Sequence, residues 1–228
     1  MNKIIKGLFA NIFIALLMMF FTMENVSANG NYYTTLEGKA KAGNLNAQLD
    51  FGKMQMNLGN YDSSYHWLMK AAEKGSPEAQ YFIGMFYKSG RGVHMDMRKS
   101  AYWMEKAARG GYTIAQNDIS AFYLDGEGVV QSCEKANYWL SKSLEGHYVL
   151  AYLNKGNSYM TGKCSEKNTT KAAYWYDKAS EKSNSQAQYN LGMLYLLGDG
   201  VEKNEGKARG YFNKSCKNGY ADSCQYIK

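Results

Sequence analysis

Ser132-Cys133-Glu134-Lys135 spells out a nucleophile and a base at workable spacing. Three residues apart on a helix, a serine hydroxyl and a lysine amine lie on neighbouring positions, and an S-x-x-K pair supports acyl transfer through a serine ester. The motifs that complete such a site, S-D-N and K-T-G, do not follow, and Lys135 has equivalents at Lys99, Lys171 and Lys207. The chain holds no G-x-S-x-G, no H-E-x-x-H and no P-loop. His66, His94 and His147 are scattered, so with the four cysteines they give no zinc spacing. No C-x-x-C is present to suggest a thioredoxin-like redox centre. The expectation is a protein without catalysis, metal or cofactor; were hydrolysis found, Ser132 and Lys135 would be the nucleophile and base to examine.

The elements that would position these residues recur. KAAYWYDKA at 171–179 echoes KSAYWMEKA at 99–107, KANYWLSKS at 135–143 and KARGYFNKS at 207–215, a period of 36 residues. In each unit a first segment places Ala79, Ile83, Gly84 and Tyr87, or Ala187, Leu191, Gly192 and Tyr195, on one helical face where small residues allow close approach. Glycines at 90 and 92, 126 and 128, 198 and 200 end that helix. The second segment puts Ala172, Trp175 and Ala179 on a buried stripe with Lys171 and Lys178 opposite. The recurrence of Trp67, Trp103, Trp139 and Trp175 at one register reads as core packing. Helix, glycine turn and helix at a period below fifty residues predicts an all-α solenoid.

Ahead of the repeats, Lys3 and Lys6, the apolar stretch from Leu8 to Phe21 and the small residues Val26-Ser27-Ala28 form the three parts of a secretory signal. The apolar stretch is shorter than the about 20 residues of a spanning helix, and no Cys follows it closely. Cleavage is expected after Ala28, giving an exported, periplasmic or secreted, chain with no stable membrane anchor. Setting aside Lys3, Lys6 and Glu24 takes the 27 basic and 20 acidic residues down by two and one, a mild excess spread along the repeats. Nucleic acid is therefore not an expected partner. A single proline, Pro77, beside 23 glycines and 20 tyrosines suits helices that end in glycine turns and argues against disorder.

A-x-x-x-L-G-x-x-Y-x-x-G-x-G-V followed by K-A-x-x-W-x-x-K-A is similar to the Sel-1-like repeats, relatives of the tetratricopeptide repeats. The resemblance covers about 47–223. It implies a right-handed α/α solenoid of about five helix-turn-helix repeats, at 47–78, 79–114, 115–150, 151–186 and 187–223. A lead-in at 29–46 and a terminal helix at 221–228 would close its ends. The first unit lacks the G-x-G-V loop and has Gln55 where Tyr is usual, which suits a cap, and the fourth reads Gly162-Lys163-Cys164 in place of G-x-G.

Cys216 and Cys224 stand eight residues apart across a glycine-containing turn. Their spacing resembles that of the cysteine-rich, Hcp-type branch, which implies a disulfide there. Stacking of adjacent units would bring Cys133 and Cys164 together for a second bond, although four cysteines allow three pairings and sequence alone does not select one. Some members of that branch have been discussed as penicillin-binding or β-lactam-hydrolysing proteins, the alternative function to hold beside the S-x-x-K match.

By analogy with the tetratricopeptide architecture, groove-facing positions fall three, seven and ten into each repeat. They are Leu49, Lys53 and Met56; Tyr81, Met85 and Lys88; Asn117, Ala121 and Leu124; Leu153, Asn157 and Met160; and Tyr189, Met193 and Leu196. Rigid Tyr, adaptable Met and backbone-pairing Asn suit a protein or peptide segment. The resemblance implies a monomeric interaction scaffold, with envelope regulation, toxin immunity and host contact as narrower roles among which the residues do not choose.

Overall fold

The computed structural model describes residue 32 and residues 34–227; the expected leader at 1–28 lies outside them. Among the described residues, ten α-helices of equal length follow a helical lead-in at 34–41. They are α1 (Leu45–Asn57), α2 (Tyr61–Glu73), α3 (Pro77–Ser89), α4 (Met97–Arg109), α5 (Thr113–Asp125), α6 (Cys133–Glu145), α7 (Val149–Thr161), α8 (Thr169–Glu181), α9 (Ser185–Leu197) and α10 (Glu205–Lys217). A 3₁₀ segment, Ala221–Ile227, ends the chain. Among the described residues there is no strand, and no helix is long and apolar enough to cross a membrane.

The chain divides after Lys74 into two compact units. In the first, Ala40, Ala47, Phe51 and Trp67 form a small core, with the rings of Phe51 and Trp67 edge to face at 5.6 Å. Ser64 Oγ donates to the Gly52 carbonyl across the hairpin at 2.8 Å.

The second unit repeats one hairpin four times. First helices start at Pro77, Thr113, Val149 and Ser185, and second helices at Met97, Cys133, Thr169 and Glu205. Each second helix is capped by a side chain, from Asp96, Ser132, Asn168 or Asn204, that accepts N–H groups of the first turn. The N–H of each cap residue in turn donates to a tyrosine carbonyl of the first helix, at Tyr87, Tyr123, Tyr159 and Tyr195. Gly90, Gly126, Gly162 and Gly198 end the first helices in the left-handed conformation.

Within a hairpin the packing is a knob in a glycine notch. A Cβ on Gly84 would lie 2.7 Å from Met104 Cγ, and one on Gly192 2.8 Å from the Phe212 ring. Tyr176 fills the same notch at Gly156. The deepest line of the second helix therefore runs through Ala172, Tyr176 and Ala179, all buried, with Trp175 half-buried on its flank. Trp67 and Trp139 are buried, Trp103 and Trp175 less so.

The cysteines pair as Cys133–Cys164 and Cys216–Cys224, each with Cα atoms 5.0 Å apart. The second bond ties down the terminal 3₁₀ segment, in which buried Ser223 donates to buried Ser215 and Tyr226 stacks on Phe212 at 4.5 Å. Seven residues anchored this closely take the tighter 3₁₀ form in place of an α-helix.

Candidate functional site

Ser132 and Lys135 take repeat positions. Ser132 Oγ accepts the Lys135 N–H at 3.3 Å as the cap of α6, in register with Asp96, Asn168 and Asn204. Lys135 Nζ lies 4.9 Å from the centre of the Tyr123 ring. Lys99, Lys171 and Lys207 sit in the same way over Tyr87, Tyr159 and Tyr195. A capping hydroxyl and a lysine on an aromatic face thus account for the S-x-x-K letters.

The positions nominated for a groove behave differently from one another. Met85 is exposed, Leu124, Met160, Met193 and Leu196 are half-buried, and Asn117 is 5% exposed. Tyr81 OH donates to Asp118 Oδ2 at 3.0 Å, and Asn117 Nδ2 donates to Asp118 Oδ1 at 3.0 Å. Asn154 Nδ2 donates to Asn117 Oδ1 at 2.8 Å, so one hydrogen-bonded line crosses α3, α5 and α7. Burial first, then the Asp118 carboxylate, pushes the Tyr81 phenol well above its ordinary pKa. Tyr189 belongs to an aromatic end cluster, its ring 5.1 Å from Tyr220 and 5.8 Å from Phe212.

Asn117, Leu124 and Asn157 come together at a cleft of about 310 Å³. Ser120 and Ala121 of α5, Asn137 and Leu140 of α6 and Asn154 of α7 complete its walls. Ala121, Leu124, Ala136 and Leu140 supply apolar lining, and four asparagines supply amide groups among them. Its rim carries an ion pair between Lys163 Nζ and Asp125 Oδ1 at 2.6 Å, and Cys164. Asn137 Nδ2 donates to the Cys164 carbonyl at 2.8 Å, fixing that edge. Asn157 Oδ1 accepts from Tyr176 OH at 2.8 Å. A mostly apolar concavity of this size with a few amide groups suits one side chain together with its flanking peptide groups.

Asn137, Asn154 and Lys163 were not among the nominated positions. Asn137 was legible as an irregularity, since it stands in the register of buried Ala101 and Ala173. Asn154 adjoins a groove position, and only the packing of α7 on α5 shows that it reaches Asn117.

Five matches to the Sel1 repeat, at residues 52–76, 77–112, 113–148, 144–184 and 185–220, span most of the chain. The chain belongs to the Sel1 repeat family. This Sel1 repeat protein is similar to a Sel1 repeat protein from Oxalobacter formigenes, with a TM-score of 0.76 and 26% identity over 81% of this chain and 75% of that one. It is also similar to a protective antigen present in uropathogenic Escherichia coli strains, which displays an SLR fold, with a TM-score of 0.69 and 26% identity. That match covers 86% of this chain and 50% of the antigen, so this chain spans half the antigen's length. No curated protein matches the sequence. The α/α solenoid fold and the two disulfides expected from the sequence are both present.

Proposed function

We propose that this Sel1 repeat protein is an exported, non-catalytic adaptor that holds a segment of another protein against the face shared by α5 and α7. The cleft carries this reading: apolar surface and amide groups converge where nominated positions Asn117, Leu124 and Asn157 meet. Asn amides can pair with a peptide backbone, while Leu124 and Leu140 offer apolar surface to its side chains. Envelope regulation and toxin immunity are narrower forms of the same reading, separated by the identity of the bound protein.

Crosslinking capture from the native envelope with oxidised protein tests it, with Ala121→Arg as the comparison. Ala121 is exposed and lines the cleft, so an arginine there fills the site while sparing the core. One protein captured by the parent and lost with the variant is the expected result. Equal capture by both, or none by either, overturns the adaptor reading at this face.

A further inference from the structure

The seam between α6 and α7 departs from the seams on either side of it at its disulfide and at Asn137. At those flanking seams a loop glycine closes on the first turn of the preceding repeat's second helix. A Cβ on Gly128 would fall within 3 Å of the Met97 and Arg98 backbone, and one on Gly200 within 3 Å of Thr169 and Thr170. The matching residue at the α6/α7 seam is Cys164, held at φ 57, and it is bonded to Cys133 in the register of Met97 and Thr169. A non-glycine residue in the left-handed region costs about 1 kcal/mol or more, so the side chain there needs a reason. Asn137 replaces the alanine of Ala101 and Ala173.

The packing follows these substitutions. One buried apolar cluster runs through α4, α5 and α6 and another through α7, α8 and α9, parting between Trp139 and Leu153. Helix α6 packs less extensively on α7 than α4 does on α5 or α8 on α9. The cleft lies in that opening, with Cys164 in its wall. Two amide groups of its lining have no protein partner among the described residues: Asn154 Oδ1, an acceptor, and Asn157 Nδ2, a donor. One acceptor and one donor answer the N–H and C=O of a peptide.

We infer that the Cys133–Cys164 bond fixes the width of this seam, and that the cleft takes one bulky apolar side chain of a bound peptide only while the bond is intact. The inference rests on the adaptor reading for its ligand class. Leu124 and Leu140 receive the side chain, and Asn154 and Asn157 pair with the peptide groups beside it. Cys133 is exposed, within reach of a reductant. A dithiol attacks the bond through one thiolate; two electrons and two protons pass to the cysteines, leaving two thiols and the reductant's own disulfide. Two thiols cannot sit at bonded separation, and with the tether gone the loop after α7 is free to leave α6, which breaks the Asn137–Cys164 hydrogen bond and removes the wall.

The test uses full-length protein carrying Cys216→Ser and Cys224→Ser, so that one disulfide remains, with N-acetyl-leucine methylamide as the probe. Its binding is read from the side-chain amide signals of Asn137, Asn154 and Asn157 by NMR. In the oxidised protein those signals shift; with dithiothreitol the shifts are lost and amide exchange rises at least tenfold at 162–168, without a rise at Gly128 or Gly200. Cys133→Thr with Cys164→Gly copies the Thr169/Gly200 seam, and the shifts are lost there with the fold retained. Shifts that survive reduction or the double substitution overturn the inference, as does an oxidised protein that shows none. A silent probe beside prey capture abolished by Ala121→Arg would defeat this inference and leave the adaptor reading standing. Probe binding with prey capture indifferent to Ala121→Arg would do the reverse.

Discussion

Four phenols show how this chain uses tyrosine. Burial, and next the neighbouring carboxylates, push Tyr123 and Tyr211 up to about 12; Tyr176 reaches about 12 by burial, and Tyr81 is also raised. The carboxylates are Glu105 for Tyr123, Asp177 for Tyr211 and Asp118 for Tyr81, each accepting the phenolic proton. The unfolded chain loses these protons near pH 10 while the folded chain keeps them, so folded stability is fully present below about pH 10 and falls as pH rises towards 12. Urea midpoints at pH 8, 10 and 11 check this, and an unchanged midpoint at pH 11 would contradict it. Glycine gives a second prediction at the same scale. Gly156→Ala puts a Cβ against the Tyr176 ring and should cost about 1–3 kcal/mol, whereas Gly210→Ala, with nothing within 4 Å in an exposed helix, should be neutral or stabilising by up to about 1 kcal/mol. Paired denaturation curves decide between them.

At the scale of the helix, the cap explains what the sequence left ambiguous. Ser132 and Asn168 perform the same task at the start of α6 and α8, each accepting an N–H three residues on. Ser132→Ala and Asn168→Ala should therefore each lower stability by about 1 kcal/mol. A nitrocefin assay on the oxidised parent should show no hydrolysis; turnover abolished by Ser132→Ala would restore the catalytic alternative. The helices themselves were legible because alanine, glycine and tyrosine recur at fixed register and glycines mark the stops. The knob was less so: KAAYWYDKA holds Trp175 and Tyr176 side by side, and a helical stripe broad enough to include either does not say which one enters the Gly156 notch. The cleft was legible in its parts, through Asn117, Leu124 and Asn157, but its existence depends on how far α7 stands from α6. At that seam Cys164 and Asn137 depart from the repeat, and neither means much singly in the sequence.

For the repeat array as a whole, stability is close to a sum over hairpins and the interfaces between them, so one weak interface matters out of proportion to its size. Gly75 to Lys228 is compact as one unit, yet its buried clusters part at the α6/α7 seam, where a covalent bond stands in for apolar contact. Cys133 and Cys164 are 31 residues apart and Cys216 and Cys224 eight, which by loop-closure entropy makes the first bond worth roughly 3–4 kcal/mol and the second roughly 2–3 kcal/mol. The larger effect of the first bond should be on cooperativity. With it intact, the cluster through α4, α5 and α6 and the cluster through α7, α8 and α9 should unfold together in urea. With it reduced, in protein already lacking the Cys216–Cys224 bond, hydrogen exchange over 97–139 and 153–194 should give two separate midpoints. A single shared midpoint after reduction would mean that apolar packing across the seam suffices to couple the two halves, and that the bond serves only to lower the entropy of the unfolded chain.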